Sequence, residues 1–464
     1  MSADVVVVGA GTAGLNAALQ LARRGLDVVV VESRRIGEGG ARWDNGVLAW
    51  QFTRAGLAPA SGDEVQEASG RTWMLGPDGT SPIVFDSPTS HADMRRLNDR
   101  LVALCRSEGV TFMDGARDVE VLMDSGRVVA LDLVAGPVGD GGDGDGDEGR
   151  PVRIEASLFV DAAGRKGVMR SQVPELASWC EPVGRDLLCT ASQHNYDVAD
   201  RAGAEKFLDE GVLSGRGVEP GDGVSRVGLD GGFSALVVGV APDLRTVSVL
   251  TGCIADGKWG SGRSILERFR AENPWIGDQI YGGDGLIPLR RPYARLGAAG
   301  VALVGDAACQ VFPAHGSGIG IGLIAGAILA EQVAAHSDPG SDAALWSYQH
   351  AFHAEHGGTL AAYDAFRRCS SELGSEGIRR MFASGLFTPD MGSSGLEQRW
   401  SEPTRAQTAA AARAYRRDPG LARMMLPWLA RCAAAARLGG ASPAEPDLDG
   451  LRRWDRRLAW VVGG

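Results

Sequence analysis

The chain opens on an unbroken apolar run. Asp4 is followed by Val5-Val6-Val7-Val8, β-branched residues without alternation, which predicts a parallel strand buried on both faces. Over 12–24 the apolar residues recur at helical spacing instead (Ala13, Leu15, Ala17, Ala18, Leu19, Leu21, Ala22), and Gly25 closes that helix. A second valine run, 28–31, ends in Glu32. The same grammar returns near the far end, where 300–304 reads as a buried strand and a helix of small residues runs to about 335. Between these ends the period changes. A helix beginning near His91 carries Met94, Leu97, Leu101 and Leu104 on one face, and 119–123, 128–134, 152–156 and 158–161 read as the strands of a β-meander. Further strands at 233–240 and 246–251 and a helix over 264–272 suggest a second sheet. From 341 the chain is helical, rich in Ala and Arg, with breaks at Gly357-Gly358, Gly374 and 388–395.

The turns between these elements carry the chemistry. Gly9-Ala10-Gly11-Thr12-Ala13-Gly14 joins the first strand to the first helix. Gly9 permits the tight turn, Gly11 lets the backbone approach a pyrophosphate, and Gly14 lets helix and strand pack closely, so that the helix N-terminus offers amides to the phosphates. Glu32, 18 residues after Gly14, is placed to accept hydrogen bonds from a ribose diol. Its charge disfavours a ribose bearing a 2′-phosphate. The loop that follows, from Ser33-Arg34 through Gly39, Gly40, Ala41 and Arg42 to Gly46, is dense in glycine and is expected to pass over a bound dinucleotide. Asp161-Ala162-Ala163-Gly164-Arg165 ends another buried strand in an acid and a glycine. Gly305-Asp306 ends the late strand, and Pro313-Ala314-His315-Gly316-Ser317-Gly318-Ile319-Gly320 opens the small-residue helix. An acid at a strand end can hold a polyol, and a glycine-paved helix N-terminus can stabilise a planar anion.

Composition narrows the classes. The 464 residues suffice for two or three domains, and 44% hydrophobic with 23% charged residues is a globular balance. A net charge of −11 argues against a nucleic-acid partner. Seven scattered cysteines without a C-x-x-C pair suggest a reduced, cytoplasmic chain; Cys309 reads as a small packed thiol. A strand entered by residue 4 leaves no room for a signal peptide, and the apolar stretch 319–330 is too short to span a bilayer, so no integral membrane association is expected. No metal site is expected. Asp143, Asp145 and Asp147 alternate in a Gly/Asp tract, but Glu148 and Ile154 stand where a calcium loop needs Gly and an acid, so a solvated loop is the reading. His350, His353 and His356 repeat every three residues, about 60° apart around a helix. That spacing favours solvated or capping histidines over a three-ligand site.

Together the three motifs, in this order, resemble the glutathione-reductase-like FAD enzymes, and more closely the branch with geranylgeranyl reductases, aromatic hydroxylases (flavin monooxygenases) and flavin-dependent halogenases. The resemblance implies FAD as cofactor. The implied fold class is α/β: an interrupted Rossmann-like FAD-binding domain with a β-meander insertion (1–172 and 299–340), a mixed-sheet substrate domain (173–298) and a helical C-terminal region (341–464). It also implies that Gly9 to Gly14 hold the pyrophosphate and Glu32 the adenosine ribose, with Ser33, Arg34, Gly40, Ala41, Arg42, Ala163 and Gly164 lining the cofactor. Asp306, with Gly305, would bind the ribityl chain, and the amides around Pro313, Gly316, Gly318, Ile319 and Gly320 would face flavin N1 and the C2 oxygen.

Details of the motifs discriminate between chemistries. A halogenase needs an early lysine and a Trp-x-Trp-x-Ile-Pro segment; the first lysine here is Lys166 and no such segment occurs. Ala163, Arg165 and Gly167 are nearer the reductase form of the middle motif. Hydroxylases usually carry Asn and Asp where Gly320 and Ala325 stand, whereas Ile319 and Gly326 look reductase-like. The favoured expectation is therefore an FAD-dependent oxidoreductase exchanging hydride between a small organic metabolite and flavin N5, by dehydrogenation or ene reduction. The alternative is a flavin monooxygenase that hydroxylates an aromatic or polyketide-like metabolite through a flavin hydroperoxide, and a remoter one is a non-catalytic flavin-binding protein. His315, inside the flavin-facing motif, is the candidate catalytic proton donor or base. No second nicotinamide fingerprint appears, so NAD(P)H must visit the flavin transiently or an external donor or acceptor must serve.

Overall fold

A computed structural model describes residues 1–66, 70–136 and 149–464. The Asp143, Asp145 and Asp147 tract, with Glu148 at 148, lies outside the described residues up to that point, and among the described residues no group of His, Cys, Asp and Glu could hold a metal ion. β1 (Ser2–Val8) passes through the glycine turn into α1 (Thr12–Ala22) and returns on β2 (Val28–Val31). Then come β3 (Asp44–Val47), α2 (Ala49–Arg54), β4 (Val65–Gln66), β5 (Arg71–Leu75), β6 (Ile83–Asp86), β7 (Ser90–Asp93) and α3 (Met94–Ser107). The chain continues through β8 (Thr111–Met113), β9 (Arg117–Asp124), β10 (Arg127–Ala135) and β11 (Arg150–Asp161) to the short α4 (Pro174–Ala177). β12 (Leu188–Val198), α5 (Arg201–Leu208), β13 (Gly223–Val227), β14 (Ser234–Val240), β15 (Thr246–Ile254), α6 (Gly262–Glu272) and β16 (Ile276–Pro288) follow. β17 (Gly297–Ala298), β18 (Val301–Leu303) and α7 (Ile319–Val333) lead into the helices α8 (Asp342–Phe352), α9 (Gly358–Ala383), α10 (Pro389–Leu396), α11 (Arg405–Arg417), α12 (Pro419–Gly439) and α13 (Leu448–Val462).

Two sheets organise the molecule. The first runs β17-β18-β11-β1-β2-β8, and from β18 through β8 its neighbours are parallel. The opening valines sit at its centre, Val5, Val6 and Val7 being fully buried, as a strand covered on both faces requires. α1 and α7 pack side by side on it through small residues. A Cβ on Gly322 would lie 3.0 Å from the Ala13 methyl, and one on Gly326 would lie 2.7 Å from the Ala17 backbone nitrogen. The buried Asn16 amide crosses this seam and donates to the Leu323 carbonyl at 2.7 Å. β9 and β10 extend antiparallel from β11 as the expected meander, but β11 is one continuous strand rather than two. Its last residues pair with β1 while its first pair with β10.

The second sheet, β16-β12-β15-β14-β13-β5-β6, is antiparallel except where β13 meets β5. It is larger than the sequence pattern suggested. β12 is rich in polar residues, β13 and β16 mix glycine with polar residues, so all three lack an apolar signature, and β5 and β6 enter from 71–86, well before 173. Two other differences have local causes. The helix expected from His91 begins at Met94, because Ser90–Asp93 pairs with β3 and the Asp93 side chain caps Arg95 at 2.9 Å. Thr388 to Gly395 is a helix, α10, not a break, with Thr388 as its cap. Gly374 does break the line of α9, at φ 62° and ψ −179°.

The three histidines depart from the solvated reading. A π-turn over His353–Gly357 adds a residue to the helix where it passes from α8 to α9. His353 and His356 are buried; His353 Nε2 donates to the Ala294 carbonyl at 3.2 Å, and its ring meets Trp454 edge-on. His350 lies 3.3 Å from the Ser442 hydroxyl. Burial pulls the His353 imidazole down to about 4, against its hydrogen bond. The unfolded chain therefore binds a proton below roughly pH 6.5 that the folded one refuses. This group costs nothing above that pH, and on the order of 3 kcal/mol of stability is lost between pH 6.5 and 4. His353→Gln should flatten the fall in urea midpoint between pH 7.5 and 5; an unchanged slope would assign it to other groups.

Candidate functional site

Each glycine of the first motif is held by a neighbour. Gly9 adopts φ 109°, and a Cβ there would strike the Ala162 carbonyl; a Cβ on Gly14 would strike the Gly9 carbonyl and come within 2.9 Å of the Ala162 methyl. The middle motif thus buttresses the first, and the Ala162 amide donates to Val8 O at 2.9 Å. Asp161, fully buried, accepts from the amides of Ala163 at 3.2 Å and Met169 at 2.7 Å. It shapes the turn that carries Ala163 and Gly164. Arg170 locks that turn to the late motif, donating to the Ala307 and Arg165 carbonyls at 2.6 Å each.

Glu32 faces the glycine turn. Its Oε2 accepts the Ala10 amide at 2.7 Å, and its Oε1 accepts the Ser33 hydroxyl and the Arg34 amide at 3.0 Å each. The loop over 37–42 folds back on this point. Asn98 on α3 donates to the carbonyls of both Ala10 and Gly39 at 3.1 Å, and a Cβ on Gly40 would sit 3.1 Å from Gly11 Cα. Ala41 packs on the core, while the Arg42 guanidinium turns back to the Gly37 carbonyl at 3.0 Å and that of Arg34 to Glu38 at 3.3 Å.

The late motif closes the group. Gly305 has φ 65° and lies against Ala13 of α1, with 2.9 Å between their β positions. Asp306 is half-buried, and desolvation lifts its carboxyl to about 6 in spite of Arg165. A Cβ on Gly318 would lie 3.2 Å from Asp306 Oδ1, so acid and helix start are adjacent. Pro313 is buried; Ile319 opens α7; Gly320 leaves room for the Gln51 amide. Cys309 is fully buried in the core, in keeping with a packed thiol.

The donor set suits a dinucleotide. Among the described helices, α3, α5, α6, α8, α10, α11, α12 and α13 each have a side chain bonded to the first-turn amides. α1 and α7 do not, nor do α2, α4 and α9; α1 and α7 are the two whose N-caps are the motif glycines Gly11 and Gly318. Both leave backbone donors and a positive dipole end for an anion, one beside Glu32 and the other beside Asp306.

Several residues at this site carried no sequence signal. Tyr281, Gly283, Gly285 and Ile287 alternate onto one face of β16. A Cβ on Gly283 or Gly285 would lie 2.9 Å or 3.4 Å from the Trp43 ring, and Ile287 lies 3.4 Å from the β position of Gly316. Asp44, 1% exposed, accepts from Tyr281 Oη and from Asn195 Nδ2, both at 2.8 Å. Burial raises this carboxyl to about 6, against those bonds. Arg95 lies over the Tyr281 ring at 3.7 Å from its centroid. These contacts fasten the loop after Arg42 to the second sheet.

His315 stacks on Phe312 at 4.7 Å, Phe312 on Tyr363 at 4.5 Å, and Tyr363 meets Trp400 at 5.7 Å. The Gln51 amide donates to Gln398 at 2.9 Å. The C-terminal region therefore walls the site. His315 is exposed, and desolvation by the residues packed on its ring lowers its imidazole below the usual histidine value.

Fold and donor set together suit a flavin enzyme. Residues 4–75 match the family of FAD dependent oxidoreductases (DAO). The chain is 24% identical over 389 residues to a digeranylgeranylglycerophospholipid reductase of Sulfolobus acidocaldarius, covering 81% of this chain and 79% of that one. Its fold is similar to that of a geranylgeranyl bacteriochlorophyll reductase-like protein from Thermoplasma acidophilum (TM-score 0.69, 18% identity, 92% and 99% of the two chains). It is also similar to that of the flavin-dependent brominase Bmp2 (TM-score 0.57, 16% identity, 90% and 100%). The chain is an FAD-dependent oxidoreductase, similar in sequence to reductases of geranylgeranyl lipids and in fold to a flavin-dependent brominase. None of its helices is long and apolar enough to cross a membrane among the described residues.

Proposed function

We propose that the chain reduces a carbon–carbon double bond in an apolar, isoprenoid-type metabolite. FAD, when bound, supplies hydride at N5. The observation that carries this reading is the apolar wall next to Gly316: Ile287 and Leu289 touch its β position at 3.4 and 3.5 Å, and Cys189, Ile254, Ala191 and Phe233 pack with them. Through the half-buried Ile287, Ala191 and Phe233 such a wall offers an alkene chain apolar contact area, backed by the buried Leu289, Cys189 and Ile254. The name of the Sulfolobus relative, a reductase of a geranylgeranyl lipid, supports the same class.

In this reading the α1 amides hold the pyrophosphate, Glu32 the adenosine ribose and Asp306 the ribityl chain. The amides of Gly316 to Gly320 face the pyrimidine edge, where the α7 dipole favours negative charge. The second carbon of the alkene takes a proton. His315, neutral at physiological pH, relays it from solvent rather than storing it. NAD(P)H visiting the flavin, or an external donor, replenishes the electrons, and the cytoplasm is the proposed location.

The test is anaerobic. Pre-reduced holoenzyme mixed with a polyprenyl lipid should regain the oxidised flavin spectrum, and the lipid should gain two hydrogens by mass spectrometry. A spectrum that returns only when oxygen is admitted, with a product heavier by one oxygen, would instead establish monooxygenation. His315→Ala should lower the rate of this step about 10²- to 10⁴-fold while FAD stays bound; an unchanged rate would remove His315 from the chemistry.

A further inference from the structure

The C-terminal helices are charged against the rest of the chain. From 405 to 464 there are eleven arginines and five carboxylates, a surplus of six positive charges in a chain whose net charge is −11. α11 and α12 are joined by a turn at Asp418, and α13 runs antiparallel to α12, the Trp454 indole donating to Leu438 O while Gly463 packs on Trp428 and Arg431. Three helices thus form one slab.

Its outer side mixes arginine with large apolar groups. α12 exposes Arg423, Leu426, Pro427, Ala430, Ala434 and Arg437, a stripe at helical spacing with arginine at each end and apolar residues between. α13 turns Leu451, Trp454, Leu458 and Val462 into the core and leaves its arginines and Trp460 outside. Trp460 is 73% exposed, more than any other large hydrophobic side chain described, and Leu426 is 50% exposed. No carboxylate pairs with Arg413, Arg416, Arg417, Arg423, Arg456 or Arg457 among the described residues.

We infer that this slab, α11 to α13, is a docking surface for an anionic lipid bilayer. Arginines at headgroup level attract the lipid phosphates, while Trp460 and Leu426 insert at the interface, where an amphipathic ring is favoured. Nucleic acid would reward the arginines but not the Leu426-Pro427 apolar centre. The choice of a lipid surface rests in part on the proposed apolar substrate, since an enzyme of such a lipid must meet it at a membrane. Binding is read without turnover, so the two readings fail separately.

The experiment is co-sedimentation of full-length holoenzyme with vesicles of phosphatidylcholine alone and of phosphatidylcholine with phosphatidylglycerol. Binding is expected to the anionic vesicles only, and to fall as salt is raised. Arg456→Ser with Arg457→Ser should weaken partitioning about 25-fold, roughly fivefold per arginine near the surface. Trp460→Phe should remove a blue shift of tryptophan fluorescence that wild type shows on binding. FAD content and melting temperature, unchanged in these variants, show that the fold is intact. No binding to anionic vesicles, equal binding to neutral ones, or preferential binding to a DNA duplex would overturn the inference.

Discussion

Gly14→Val should yield a protein that retains no FAD and loses more than about 3 kcal/mol of stability. The reason is backbone, not side-chain, crowding. A Cβ at this position overlaps the Gly9 carbonyl and lies 2.9 Å from the Ala162 methyl, so neither neighbour can swing aside without moving β1 or the turn after β11. Either shift pushes the first amides of α1 away from a pyrophosphate, coupling stability to cofactor binding. Gly239→Ala is the matched control, since a Cβ there meets nothing within 4 Å. It should change stability by less than about 1 kcal/mol. Urea unfolding together with the flavin-to-protein absorbance ratio reads both effects, and a yellow, stable Gly14→Val protein would refute the assignment of this turn.

Glu32→Ala should raise the FAD dissociation constant about 100-fold or more. Three donors lose an acceptor at once: the Ala10 amide at 2.7 Å, the Ser33 hydroxyl and the Arg34 amide. Hydrogen bonds to a charged group are worth about 1.5–3 kcal/mol each, and 1.4 kcal/mol is tenfold in affinity. Glu32→Gln keeps an oxygen for the Ala10 amide and loses the charge, so its expected loss is nearer tenfold. Fluorescence titration of the apoprotein with FAD separates the two. An alanine variant that binds FAD within about a factor of two of wild type would mean that Glu32 only shapes the turn.

Both predictions rest on residues visible from spacing alone. Gly9, Gly11, Gly14 and Glu32 stand at fixed distances on one strand–helix–strand unit, and a local motif leaves a local signature. Asp306 and Gly316 to Gly320 could be read in the same way. Trp43, Asp44, Asn195 and Tyr281 could not, because 151 residues separate Asp44 from Asn195. Their meeting depends on β12 and β16 pairing in a register that sets Asn195 opposite Tyr281. The glycines of β16 are equally silent in sequence: their absent side chains matter only once Trp43 lies on them. The histidines show the opposite error. A spacing of three on an ideal helix predicts scatter, whereas His353 and His356 both lie in the interior, within one π-turn.

By itself, then, the sequence determined the parallel sheet, the first glycine turn, the acid at the end of β2 and the late strand with its helix. Each is set by contacts within a few residues or by the burial of an unbroken apolar run. Tertiary structure alone decided that Ala162 holds Gly9 and Gly14, that Ala13 wedges between Gly305 and Gly322, and that the C-terminal segment at Gln398 and Trp400 walls the site. Those contacts join elements hundreds of residues apart, and close packing, which chooses partners by shape, leaves no periodic trace along the chain.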